Sequence, residues 1–92
     1  MNQEQLCAQK LVELKAKLVD AKMAFTEGKL RDVHTWACDV DPSFDEPCLI
    51  VNGFAVNWDR WGYVADKPGL TDDQVLDQDP DLDRVVSYLK AQ

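Results

Sequence analysis

The feature that most constrains the fold of this sequence is the pair Asn52-Gly53, which lies between two short apolar runs. An Asn-Gly pair supplies the two positive-φ positions of a type I′ turn, so the segment predicts a two-residue β-hairpin over about residues 48–57. The register of such a hairpin places Val51 opposite Phe54, with both side chains on one face. That apolar face needs another element to pack against.

The first third of the chain supplies this element. Leu11, Leu14 and Leu18 recur at steps of three and four residues, and no proline occurs between residues 3 and 29. This periodicity predicts an amphipathic helix over about residues 3–29, with Gly28 near its end as the stop signal. Its apolar stripe would pack on the hairpin.

The remaining segments predict smaller elements. A third strand is expected at about residues 61–65, and a capping-box pattern predicts one helical turn over residues 71–76. Asp79 has the position of an N-cap and Pro80 that of a first helical residue, so a closing helix is expected over about residues 80–90.

Together these elements predict the α+β class. A long N-terminal helix would pack on a small antiparallel sheet of about three strands with a central β-hairpin, and a short C-terminal helix would complete one domain over residues 1–92. Ninety-two residues suffice for one small domain.

The cysteines and the N-terminus predict a cytoplasmic protein. Three cysteines are an odd number without the spacing of a disulfide framework. The first residues carry neither the basic nor the apolar region of a signal peptide. The longest wholly apolar run, residues 48–51, is far too short to span a bilayer.

Charge is the most informative feature for function. The formal net charge is −7, yet residues 1–31 hold four acids and six bases, whereas residues 32–92 hold thirteen acids and four bases. Nucleic acids and anionic lipid surfaces are bound by clusters of Lys and Arg. The composition therefore argues against direct binding to nucleic acid or to a membrane, and favours a partner with a basic surface.

Two interpretations of the acidic residues remain open. Aspartates at helix starts cap free amides and complement the helix dipole, which is a purely structural role. Alternatively, two acidic stretches form one surface that attracts a basic partner. The candidate partner-binding acids are Asp39, Asp41, Asp45, Glu46, Asp72, Asp73, Asp77, Asp79, Asp81 and Asp83.

Aromatic residues offer a second candidate surface. Trp58 is expected in the core, whereas Trp61 and Tyr63 are candidates for a partner-facing role on the uncovered side of the sheet, because aromatic side chains dominate binding hot spots. The alternative is that both belong to a small core.

The sequence shows no constellation typical of catalysis, and no cofactor is expected. Nothing places the single His34 beside a cysteine nucleophile and a third, orienting group. The aspartates at alternate positions from Asp77 to Asp83 lack the glycine and glutamate of a calcium loop, since Leu82 and Tyr88 stand there. The cysteines lack the close pairs of a structural zinc site. No metal site is predicted.

These observations lead to one hypothesis with two alternatives. The protein is interpreted as a non-enzymatic interaction module, an acidic inhibitor or immunity-type protein that docks on the basic surface of another protein, such as a nucleic-acid-binding protein or nuclease. The alternatives are a scaffold protein that binds through an aromatic sheet face, and a metal-responsive domain. A zipper-type homodimer is not expected, because the lysines beside the leucine seam would face one another.

Overall fold

The computed structural model describes residues 2–33, 46–71 and 73–92 of the chain. The elements in chain order are α1 Gln3–Asp20, β1 Thr26–Lys29, α2 Leu30–Val33, β2 Pro47–Val51, β3 Phe54–Asp59, β4 Gly62–Asp66, β5 Leu76–Asp79 and α3 Leu82–Lys90. The α+β class is confirmed. The sheet, however, has five strands in the order β1-β2-β3-β4-β5 instead of the three expected.

The hairpin forms as its turn residues predict. β2 and β3 are antiparallel neighbours, and Val51 lies opposite Phe54. Asn52 and Gly53 both have positive φ, at 52° and 84°. Every neighbouring pair of strands in the sheet is antiparallel. The chain therefore builds the sheet as a meander from one edge to the other.

The predicted N-terminal helix is wrong over its last part, because α1 ends at Asp20 and residues 26–29 form a strand. Lys22 adopts a φ of 58°, the Lys22 amide donates to the Val19 carbonyl oxygen, and the Met23 amide donates to the Leu18 carbonyl oxygen. This is the Schellman arrangement that ends a helix. Its left-handed position usually holds glycine, and here it holds lysine.

The second half of the chain also departs from expectation. Gln74 does not start a helical turn: its amide and side chain bond back to Thr71, and the chain then enters β5. Asp79 belongs to β5, where it lies opposite Tyr63, and the N-cap of α3 is Asp81. The C-terminal helix therefore begins two residues later than predicted.

The core lies between one face of the sheet and the two longer helices. α1 contributes Leu11, Leu14 and Leu18, which are 8%, 0% and 0% exposed. The sheet contributes buried residues from β2, β3 and β4, and α3 contributes Val85, Val86 and Leu89. The short α2 contacts β1, β2 and β3. Trp58 lies in this core, as expected.

Candidate protein-docking surface

Five of the predicted partner-binding acids lie in the edge strand β5 or in the segments directly before and after it. Asp73 precedes the edge strand β5, Asp77 and Asp79 lie within it, and Asp81 and Asp83 follow at the start of α3. We call these five residues the acidic strip. Within residues 73–84, Arg84 is the single basic residue. The strip is therefore a run of five carboxylates in which Asp79, Asp81 and Asp83 lie within 4 Å of Arg84 or Lys17.

Two residues of the strip stabilise the local fold. The Asp79 carboxylate accepts a hydrogen bond from the Asp81 amide at 2.9 Å and pairs with the Arg84 guanidinium at 3.0 Å. The backbone hydrogen bond from Asp81 and then Arg84 hold the pKa of Asp79 below its usual value. The Asp81 side chain caps α3 by accepting from the Asp83 amide at 2.9 Å. These contacts support the helix-capping interpretation for Asp81, and they give Asp79 a structural role just before the same helix.

Asp83 joins the two longer helices. Its carboxylate lies 3.3 Å from the ammonium group of Lys17 on α1, and the Asp83 side chain is 84% exposed. A salt bridge this exposed stabilises a fold by at most about 1 kcal/mol. Asp83 therefore remains accessible to a partner while it neutralises one lysine.

Asp73 and Asp77 have no comparable structural role. Both are exposed, and within the described part of the chain neither side chain takes part in an ion pair or a hydrogen bond. Capping does not explain these two charges. They are the strip residues most available for binding.

The structure does not bring all of the predicted acids together. Glu46 is exposed at the start of β2, three strands away from β5, which is a separation of about 14 Å at the usual strand spacing. Glu46 therefore lies outside the acidic strip. Asp39, Asp41, Asp45 and Asp72 lie outside the described residues, as do His34, Trp36 and Cys38.

The aromatic candidates have different positions. Trp61 is 65% exposed in the turn between β3 and β4, whereas Tyr63 is 1% exposed. The Tyr63 ring packs edge-on against Trp58 at a centroid distance of 5.0 Å, and its hydroxyl group donates to the Lys10 carbonyl oxygen at 2.7 Å. The expectation of a partner-facing Tyr63 is wrong, because Tyr63 shares the core-facing side of the sheet with Trp58.

Asp59 belongs to the same corner of the molecule, although sequence reasoning did not select it. The Gln78 side-chain amide on β5 donates to the Asp59 carboxylate at 3.3 Å. The turn that carries Trp61 therefore lies beside the acidic strip. The sequence does not predict that Asp59 lies close to the strip. This proximity depends on the pairing of β4 with β5, and the sequence of β5 carries no strand signal.

The described cysteines are not set up for metal or nucleophilic chemistry. Within the described ranges, no group of three or more His, Cys, Asp or Glu residues is arranged to hold a metal ion. The Cys7 thiol donates to the Trp58 carbonyl oxygen at 3.1 Å. Burial, and secondarily the charge of Asp32, raises the pKa of Cys48 to about 11, so its thiol is protonated at neutral pH.

The alternating aspartates do not form a single loop. Asp77 and Asp79 lie in β5, and Asp81 and Asp83 lie at the start of α3. A calcium-binding loop converges its ligands on one ion from one continuous turn. Because these four aspartates are divided between a strand and a helix start, they are not placed as the ligands of such a loop.

No helix in the described ranges is long and apolar enough to cross a membrane. Comparisons of the chain with protein-family models, with curated proteins and with solved structures gave no significant match.

Proposed function

We propose that this protein is a non-enzymatic interaction module whose acidic strip docks on the basic surface of another protein, and that it acts as an inhibitor or immunity-type partner. The observation that carries the proposal is the exposure of Asp73 and Asp77 without a structural role, close in the chain to three further carboxylates at the end of β5 and the start of α3. Such a field accelerates encounter with an oppositely charged surface and selects against acidic partners.

The class of partner follows from the negative charge of this surface. A protein that binds nucleic acid presents Lys and Arg to phosphates, and a row of carboxylates can occupy the same groups. An acidic module that covers this surface would block access of the nucleic acid. We propose the cytoplasm as its compartment, from the odd number of cysteines.

Edge protection is the main alternative explanation for the strip. Charged side chains on an edge strand prevent pairing between the sheets of two molecules. β5 also carries an irregularity, since its pairing with β4 shifts register and Gln78 has a φ of 50°. A protective role needs no partner, and the experiment below separates the two explanations.

The test compares two double charge reversals in the full chain. Asp73→Lys with Asp77→Lys alters the strip, and Glu4→Lys with Glu46→Lys alters the net charge equally at exposed sites outside it. Each variant and the wild type serve as bait in a nuclease-treated lysate, with elution in a salt gradient and identification by mass spectrometry. Circular dichroism verifies that each variant is folded.

The proposal predicts a basic protein that binds the wild type and the control variant but not the strip variant. With this protein purified, the association rate of the strip variant should fall by about ten-fold or more at low salt, and the difference should shrink at high salt. Equal association rates for both variants, or a captured protein that is not basic, would contradict the proposal.

The exposure of Trp61 favours a second candidate, a scaffold protein that binds through an aromatic contact. This candidate predicts binding that resists salt and is lost in Trp61→Ala. With Tyr63 buried, Trp61 is the one remaining member of the proposed aromatic surface.

A further inference from the structure

Trp61 is one of three large apolar side chains that are exposed in the described parts of the chain, together with Val12 and Val19. It lies in the four-residue connection Asp59–Gly62, at the end of the sheet where β5 meets α3. At 65% exposure the indole offers an aromatic face to a partner, and Trp is among the residue types enriched in binding hot spots.

The turn is fixed by its neighbours. Asp59 is held by the Gln78 side chain at 3.3 Å, and the Gly62 α-carbon lies so close to the Gln78 backbone that no side chain fits there. Trp58 and Tyr63, on the strands that lead into and out of the turn, are both in the core. The Trp61 indole is therefore carried by a turn whose backbone packs against β5.

The charge around the indole indicates what it binds. The guanidinium carbon of Arg60 lies 5.7 Å from the centre of the Trp61 ring, so the protein itself already places a cation over this ring. Trp is the aromatic side chain with the strongest attraction for cations. The carboxylate of Asp59 lies on the same turn, and Asp79 of the acidic strip lies opposite Tyr63, two residues after Trp61.

We infer that Trp61 is the docking point for an arginine or lysine side chain of the basic partner protein, with Arg60 as a competing internal cation. The inference rests on the proposed function, which supplies the basic partner. It names the residue that binds one cation of that partner. It also predicts that substitutions at Trp61 weaken binding, whereas removal of the Arg60 charge strengthens it.

The variants follow from this competition. Trp61→Ala removes the ring and should weaken binding of a cationic peptide about two- to five-fold, the range expected for an exposed cation–π contact. Trp61→Phe should lose less, since it keeps an aromatic face. Arg60→Gln keeps a long side chain at the same backbone position, removes the internal cation and should strengthen binding.

The experiment is a nuclear magnetic resonance titration of the full chain with hexa-arginine, with hexa-glutamate as the control peptide. The indole N–H signal of Trp61 is assigned by its loss in Trp61→Phe. The inference predicts that hexa-arginine shifts this signal, that hexa-glutamate does not, and that affinity falls in Trp61→Ala and rises in Arg60→Gln.

The outcomes distinguish the role of Trp61 from the proposed function on which it rests. An unmoved Trp61 signal, or equal affinities for the wild type and Trp61→Ala, overturns the inference even if the amides of Asp73 and Asp77 respond. An unchanged or lower affinity of Arg60→Gln also overturns it. A responsive Trp61 with unmoved Asp73 and Asp77 amides supports the inference, while the proposed function loses its acidic strip.

Discussion

The hydroxyl group of Tyr63 donates a hydrogen bond to the backbone carbonyl oxygen of Lys10 at 2.7 Å, and this contact joins β4 to the middle of α1. A second contact joins the same turn of α1 to the sheet, since the Lys10 ammonium group lies 4.6 Å from the centre of the Trp58 ring. Lys10 thus contacts the sheet through both its backbone and its side chain. The position of α1 across the sheet depends on these polar contacts as well as on its leucines.

Tyr63→Phe tests the contribution of this hydrogen bond to stability. The substitution keeps the buried ring and removes the donor, so the free energy of unfolding should fall by about 1 kcal/mol, the usual net value of one such bond. Urea unfolding at pH 7 measures the change. A loss below about 0.3 kcal/mol would mean that the bond contributes nothing net, a value far under the usual range for one bond.

Stability at alkaline pH provides a second test at Tyr63. Burial, and secondarily the charge of Glu13, raises the pKa of the Tyr63 hydroxyl group well above its usual value. The hydroxyl group therefore ionises more readily in the unfolded chain, and stability that is complete below about pH 10 is lost as the pH rises above it. Tyr63→Phe should reduce this alkaline loss, and urea titrations at pH 8, 10 and 11 measure it. The pKa values of Cys48 and Tyr88 are also raised. These two groups account for the alkaline loss of stability that remains in Tyr63→Phe and is shared with the wild type.

The two glycines of the hairpin and of the β3–β4 turn predict different losses when replaced by alanine. At Gly62 an added Cβ would overlap the backbone of Gln78, so we expect a loss of about 3 kcal/mol or more, or separation of β5 from the sheet. At Gly53 an added Cβ meets no atom, and only the φ of 84° is unfavourable, which costs about 1–2 kcal/mol. Thermal unfolding of both variants compares them. A smaller loss at Gly62 than at Gly53 would contradict the close contact with Gln78.

Asp79→Asn tests the contacts at the end of β5. The amide oxygen of asparagine can still accept from Asp81, but the ion pair with Arg84 is lost, which should cost up to about 1 kcal/mol at pH 7. Since the pKa of Asp79 is lowered by folding, its stabilising effect is present above about pH 4 and disappears as the pH falls further. Urea unfolding at pH 7 and at pH 2.5 should therefore show a difference between wild type and variant only at the higher pH.

Leu14 and Val12 provide a matched pair on α1. Leu14 is 0% exposed, so Leu14→Ala should destabilise the protein by about 2–5 kcal/mol through lost burial and a cavity. Val12 is 63% exposed, so Val12→Ala should change stability by less than about 0.5 kcal/mol. Comparable losses in the two variants would show that the buried face of α1 has been assigned wrongly.

An element of this fold can be predicted where its own residues show a turn pattern or an apolar periodicity. The hairpin does, because Asn52-Gly53 prescribes the turn and the apolar runs prescribe the register. β1 and β5 do not: their sequences TEGK and LDQD lack β-branched apolar alternation, and they become strands only by pairing with β2 and β4. The end of α1 has no clear sequence signal for a related reason, since Lys22 occupies a left-handed position that usually holds glycine.

The candidate site shows the same limit. The run of aspartates from Asp73 to Asp83 was visible in the sequence, but its division into capping residues and exposed residues depends on hydrogen bonds. The different positions of Trp61 and Tyr63, one exposed and one buried, can be predicted from the sequence. Tyr63 alternates onto the same sheet face as its neighbour Trp58, and Trp61 falls in the turn between their strands.

The packing of α1 on the central strands of the sheet has a consequence for the order of folding. Cys7 bonds to Trp58, and Lys10 bonds to Tyr63, across 51 and 53 residues of chain. The strands pair with their sequence neighbours and can form as they leave the ribosome, whereas α1 must wait for both β3 and β4 before its leucines have a surface to cover. Until both strands have formed, α1 exposes its apolar stripe, so α1 is a region that a chaperone or an aggregation partner can bind during folding.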